Sequence, residues 1–165
     1  MRYGAPSPEN EFLWEHVRHL LWSYEHFVGI PMMGFSARSD CSVAKEIFYA
    51  PFALVSHGTE EDPVFNYANQ TALTLFEMQW QAFTSMPSKY SAQPMSREER
   101  AALLSRVTQD GYIDDYSGVR IAKSQRKFRI EQATVWNVLH REQGHYIGQA
   151  AIFSCWQFLD TEREH

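Results

Sequence analysis

Ser56-His57-Gly58-Thr59-Glu60-Glu61-Asp62-Pro63-Val64-Phe65-Asn66-Tyr67-Ala68-Asn69 is the stretch whose reading decides the fold. The apolar run Ala53-Leu54-Val55 leads into it as a buried strand, Asp62-Pro63 is a turn signal, and Val64-Phe65-Asn66-Tyr67 alternates as a half-buried strand does. Asn69 then stands where a helix N-cap belongs, with the segment Gln70 to Glu77 behind it. A short strand pair feeding a helix through an Asx cap opens many small α+β domains.

Downstream, Ala72, Leu73, Leu75, Phe76 and Trp80 make a helical stripe that must stop before Met86-Pro87, because a residue ahead of proline avoids the α region. Ser96-Arg97-Glu98-Glu99 reads as a capping box opening a helix whose buried face is Leu103, Leu104 and Val107, and Asp110-Gly111 closes it. Three strands follow, at 112–122, 127–139 and 146–158, separated by the polar turns Lys123-Ser124-Gln125-Arg126 and His140-Arg141-Glu142-Gln143-Gly144. In the middle strand Phe128, Ile130, Thr134, Trp136 and Val138 are expected to face one way, and Arg129, Glu131, Val135 and Asn137 the other. Tyr146, Ile147, Ile152, Phe153, Trp156 and Phe158 make the last strand partly apolar on both faces, unlike a sheet wet on its outer side.

Upstream, Ser7 caps a helix with Pro8 at its first position. Phe12, Leu13, Val17, Leu20, Leu21, Tyr24, Phe27 and Val28 share one face until Gly29 and Pro31 end it. Residues 32–45 carry no clear period and read as a connection, and Pro51 bends the chain before the first strand. The expected fold is α+β: a five-stranded antiparallel sheet with short helices over one face and an amphipathic N-terminal helix. The expected division is an N-terminal helical extension over 1–45, the sheet domain over 46–159 and a tail over 160–165.

At 165 residues the chain has material for one domain. With 44% hydrophobic and 15% aromatic residues it can fill a core and still line a pocket. A formal charge of −5 argues against broad phosphate-backbone binding, so no direct nucleic-acid partner is expected. No run suits a signal peptide or a membrane span, so no membrane partner is expected. Cys41 and Cys155 lie far apart without a Cys-x-x-Cys spacing, which fits a reducing, cytoplasmic setting.

Two strands, a helical middle and three long antiparallel strands resemble the arrangement of a PAS domain. Ser56-His57-Gly58, Asp62-Pro63-x-Phe65-Asn66-Tyr67-Ala68-Asn69, Met86-Pro87-Ser88, Arg97-Glu98-Glu99-Arg100, Asp115-Tyr116-Ser117-Gly118-Val119-Arg120-Ile121, Val135-Trp136-Asn137 and Gly148-Gln149-Ala150-Ala151 are similar to the MEKHLA domain. That family is a PAS-related module found as small bacterial proteins and at the C-terminus of plant class III homeodomain–leucine zipper proteins. The resemblance runs from roughly residue 12 to residue 158. It implies a sensory or regulatory role by analogy, a ligand site in the hollow between sheet and helical middle, and a homodimer formed through the N-terminal helix. It carries over no ligand and no catalytic residue.

Residues 70–110 contain neither His nor Cys, so a haem ligated there or a flavin joined to a Cys there has no candidate residue. A non-covalent flavin, an aromatic acid or another small organic ligand passes the same test. Tyr67, Asn69, Phe76, Trp80, Tyr116, Trp136 and Gln149 are the expected pocket residues, with His57 and Arg120 as polar anchors. Each aromatic serves equally well as plain core. Ser56 and His57 offer a nucleophile and a base, yet neighbours on an extended chain point to opposite faces, and no catalytic residue is assigned. The rival readings are a small enzyme using His57 with Asp62 or Asp115, and a protein-interaction module without a ligand.

Plainer expectations accompany these. His57 pins its turn through backbone or Asp62, and Gly118 supplies a bulge while Arg120 pairs with Asp115 or Asp114. His16 and His19, with Glu15 beside them and no third ligand, are exposed and bind no metal. Trp22 lies off the apolar stripe and meets a second subunit or covers the sheet, and Cys155 is a small buried hydrophobe.

Overall fold

The computed structural model describes residues 4–95 and 97–159. A 3-10 turn at Pro8–Leu13 precedes α1 (Trp14–Val28). At the end of that turn Glu11, Phe12 and Leu13 all take positive φ, a break that turns Phe12 and Leu13 into the core. Gly29, at φ +90°, closes α1 by donating its N–H to the Glu25 carbonyl, as the sequence led one to expect. The stretch read as a connection holds α2 (Ser42–Phe48), which buries Ala44, Ile47 and Phe48.

The strand pair is β1 (Ala53–His57) and β2 (Phe65–Ala68), and Asn69 caps α3 (Gln70–Phe76). The helical stripe is not continuous. Glu77 adopts the left-handed conformation at φ 61°, and the chain restarts as α4 (Trp80–Phe83), with a 3-10 turn at Ser88–Ser91 beyond it. α5 (Arg97–Asp110) then leads into β3 (Tyr112–Ile121), β4 (Lys127–Leu139), β5 (Tyr146–Phe153) and β6 (Cys155–Phe158). Ser96, the expected hydroxyl of the capping box, and the tail 160–165 lie outside the described residues.

The sheet is antiparallel in the order β2-β1-β5-β4-β3, with β6 beside β4. The expected fifth strand breaks at Ser154: β5 is sandwiched between β1 and β4, and β6 runs on along β4. Among the described residues the sheet therefore has six strands rather than five. Cys155, placed on this continuation, is exposed and not the buried hydrophobe its residue type suggests.

β4 changes phase part-way along. Glu131 and Gln132 are both exposed, Gln132 sits at φ 51°, and burial resumes at Ala133. Tyr116 pairs with Ala133 but Gly118 with Ile130, so β4 carries an extra residue there, and one added residue reverses the alternation beyond it. Trp136 and Val138 are thus out of step with Phe128 and Ile130, correcting the single face expected for them. Fully buried Trp136 donates its indole N–H to the Leu20 carbonyl of α1 at 3.2 Å and meets Tyr24 edge-on at 4.9 Å between centroids. Val135 instead packs with Ile113 and Val107 of α5, while Phe128 meets Phe76 of α3 at 5.3 Å. Helices cover both faces of β4, which explains why both read as apolar.

α1 spends its apolar stripe inside the chain: Val17, Leu20 and Leu21 have no exposed surface. α5 is attached far more lightly. Of the face expected to be buried, Val107 is 2% exposed, Leu103 is half-buried and Leu104 is 53% exposed. Among the described residues no helix is long and apolar enough to cross a membrane.

Candidate functional site: the polar row beneath α5

Five of the expected pocket residues form rigid interior. Tyr67 and Trp136 have no exposed surface, Phe76 is 2% exposed and Trp80 is 5% exposed. Tyr67 lies between His16, stacked at 5.9 Å, and Trp80, edge-on at 6.0 Å, and its hydroxyl is buried without a hydrogen-bond partner among the described residues. That burial raises its pKa. Asn69 spends its side chain on the fold: its carbonyl accepts from Leu54 and Ala72 N–H, and its amide donates to Ile47 and Phe52 carbonyls. Those bonds lock β1, α2 and α3 together and leave Asn69 nothing to offer a ligand.

The remaining four, His57, Tyr116, Arg120 and Gln149, are half-buried. Strand register sets His57 opposite Gln149 across β1 and β5, and Gln149 opposite Asn137 across β5 and β4. Gln149 donates to the Asn137 side-chain carbonyl at 3.4 Å, and Asn137 donates to the Val107 carbonyl of α5 at 3.3 Å. The result is a polar row across three strands with α5 above one end. Gly148, at φ +157°, permits it, since a Cβ there would stand 2.1 Å from the His57 carbonyl. Asn137 is the member that sequence reasoning missed; an amide in mid-strand, where propensity disfavours it, was the available signal.

His57 turns its Nδ1 to the Gly58 carbonyl at 2.9 Å, so its ring pins the turn through backbone, and Asp62 pairs with Lys89 instead. Burial is the main cause that lowers the His57 pKa, and the Arg120 charge pushes the same way. Arg120 does not pair with Asp115, which Arg106 holds at 2.7 Å. Its guanidinium lies 5.5 Å from the Tyr116 ring centroid, and the Tyr116 hydroxyl fills the space where a Cβ of Gly118 would be. Gly118 thus makes room for Tyr116, whereas the bulged positions are Asp114–Asp115 and Gln132. With Asp62 and Asp115 both paired elsewhere, neither carboxylate proposed for an acid–base pair meets His57.

Ser56 has a histidine, but from α1. His16 Nε2 lies 2.9 Å from the Ser56 hydroxyl, which donates to Asn66 Oδ1 at 2.5 Å. Ser56 is 2% exposed and His16 is 5% exposed, so no substrate reaches them, and burial lowers His16 to a pKa of about 3. His19 is buried as well, against the expectation that both were exposed, because the turn after β4 wraps the flank of α1. That turn brings His140 and Glu142 to His19, with ligand atoms within 4.8 Å of one another. The Nδ1 lone pairs of both histidines are engaged, however: His19 Nδ1 accepts the Arg141 N–H and His140 Nδ1 accepts the Glu142 and Gln143 N–H groups, while Arg18 holds one oxygen of the Glu142 carboxylate. A neutral imidazole accepting at Nδ1 carries its proton on Nε2 and has no lone pair left for a metal. Trp22 is half-buried and stacks on His26 at 4.8 Å.

The MEKHLA domain profile matches residues 14–158. The chain belongs to the MEKHLA domain family. The relatives include the Arabidopsis thaliana homeobox-leucine zipper proteins ATHB-15, 23% identical over 96% of this chain, and ATHB-14, 30% identical over 61% of it. The MEKHLA chain spans only 18% and 12% of those two proteins. Among solved structures, the PAS domain of a Colwellia psychrerythraea protein superposes with a TM-score of 0.57 at 18% identity, over 74% of this chain and 97% of that one. An RNA-binding light-oxygen-voltage receptor gives 0.57 at 15% identity, over 72% of this chain and 32% of the receptor. A light-oxygen-voltage domain studied with a flavin analogue gives 0.54 at 14% identity, over 73% and 87%. The fold of this MEKHLA domain is that of the PAS domains.

Proposed function

We propose that this MEKHLA domain is a sensory or regulatory module that holds a small aromatic ligand without a covalent bond, between α5 and the row His57, Gln149 and Asn137. The half-buried polar row carries this reading. Amides removed from water cost about 1–3 kcal/mol each when left unsatisfied, and the 3.3 and 3.4 Å bonds within the row are long. A planar ring with donors and acceptors on its edge would satisfy them better. Tyr116 and Arg120 stand at the rim, where the guanidinium fork suits a carboxylate or phosphate on the ligand. Tyr67, Asn69, Phe76, Trp80 and Trp136 belong to the rigid interior that holds the row in place, with Tyr67 and Trp136 behind it on the α1 face of the sheet.

Ligand entry is cheap because α5 buries little, and a settled α5 alters the outer surface that a partner or a second copy reads. With the α1 stripe spent internally, the Trp22–His26 stack is the part of that helix left for a homodimer. A cytoplasmic setting belongs to the same reading, and so does the fold likeness to light-oxygen-voltage domains, one of them studied with a flavin analogue. Titration with flavin mononucleotide and with phenylacetate, followed by tryptophan fluorescence, tests it. Saturable binding of either probe is expected, weakened at least tenfold by Gln149→Ala or Asn137→Ala with the thermal midpoint nearly unchanged. Binding of neither probe, in protein that also releases no small molecule on denaturation, contradicts it and leaves the interaction module.

A further inference from the structure

β6 presents an open strand edge. Its register along β4 pairs Phe158 with Phe128 and Trp156 with Ile130, and the Leu159 N–H donates to the Lys127 carbonyl. Hydrogen-bonding direction alternates along a strand, so Cys155, Gln157 and Leu159 turn their backbone groups toward β4, and Trp156 and Phe158 turn theirs away. β1 ends its pairing at Phe153, opposite Ala53, so nothing among the described strands takes those outward groups. Open edges are usually blunted by charge, proline or a bulge. Cys155-Trp156-Gln157-Phe158 has no charge and no proline.

The ground beside this edge is shaped and charged. A groove of about 460 Å³ runs along it, walled by Trp156, Phe158, Tyr49 and Leu75, and lined also by Arg126 and by Glu77, whose carboxylate accepts the Ser124 N–H. Tyr49 is 61% exposed and Phe158 is 42% exposed, so large apolar surface stands uncovered there. Arg126 lies over the Phe158 ring at 3.5 Å and opens a basic run, with Lys127 and Arg129 following and Lys123 before it. In a chain of net charge −5 this run stands out, and among the described residues none of those cations forms an ion pair closer than 4 Å.

We propose that the β6 edge is a docking site for an extended acidic peptide of a partner protein, which adds a strand to the sheet. Main-chain bonds to the outward groups of Trp156 and Phe158 supply the attachment, an apolar side chain of the peptide enters the groove between Tyr49 and Leu75, and its carboxylates meet Arg126 and Lys127. Charge complementarity selects the partner: an acidic segment is attracted to this edge, while the rest of the acidic chain repels it. The site lies on β6 and α3, apart from the polar row under α5, so the two readings stand or fall separately.

The probe is a fluorescein-labelled peptide of alternating sequence, Glu-Val-Glu-Phe-Glu-Val-Glu, with Lys-Val-Lys-Phe-Lys-Val-Lys as its counterpart. The acidic peptide is expected to bind saturably, with amide shifts in nuclear magnetic resonance spectra centred on residues 155–158. Phe158→Pro, which removes one outward N–H at the strand end, and R126E with K127E, which leave the strand intact, should each weaken binding at least tenfold. The proposal is overturned if the basic peptide binds equally well, if neither binds below 1 mM, if the shifts centre on α5, or if ultracentrifugation shows a dimer that Phe158→Pro abolishes.

Discussion

At the scale of single residues, Asn69 shows how much one side chain can decide. Its identity as a helix cap was legible from its place between an alternating strand and a helical stripe, but its bonds to Leu54, Ile47 and Phe52 were not, because they join residues far apart in sequence. Asn69→Ala leaves those buried backbone groups unpaired and is expected to cost about 3 kcal/mol or more in urea unfolding. His16 reverses its expected environment in the same way, since helical periodicity cannot say how wide an arc of α1 the rest of the chain covers. The unfolded chain protonates both His16 and His19 below about pH 6.5, whereas the folded chain keeps His16 neutral to about 3 and His19 to about 4. Stability is therefore full above pH 6.5 and falls as the pH drops below it, by on the order of 1.4 kcal/mol per pH unit for each such group. Urea midpoints at pH 7, 6 and 5 check this, and His16→Gln should remove one proton's share of the slope.

At the scale of elements, the strands and helices follow their sequence patterns, and the departures trace to single backbone positions. Glu77 and Gln132, both at positive φ, divide a helix and shift a strand, yet neither residue type announces a left-handed conformation. The shift at Gln132 decides that Val135 and Asn137 share the α5 side while Trp136 faces α1. α5 is the element whose sequence promised more burial than it received, and its light attachment should appear in native-state hydrogen exchange. Amides of α5 are expected to exchange through local opening at lower free energy than those of β1 and β4, and Val107→Ala should widen that gap without changing the global unfolding midpoint by more than about 1 kcal/mol. Gly148→Ala, by contrast, pushes β5 off β1 and should cost several times as much.

At the scale of the whole molecule, the PAS-like layout was legible because the order of elements is carried by local patterns. The candidate site was legible only in part: His57 and Gln149 stood out as polar residues in strands, but the row needs Asn137 and the register that joins all three. Helices close both faces of β4, one tightly through α1 and one loosely through α5, and that inequality gives the molecule a side that can respond. The central claim is that the looser side holds a small aromatic ligand against the polar row. Denaturing mass spectrometry of protein purified from its native host, wild type beside Gln149→Ala, tests it most directly. The account predicts one small aromatic compound released in near-stoichiometric amount from the wild type and lost from the variant; release from neither, or equally from both, would contradict it.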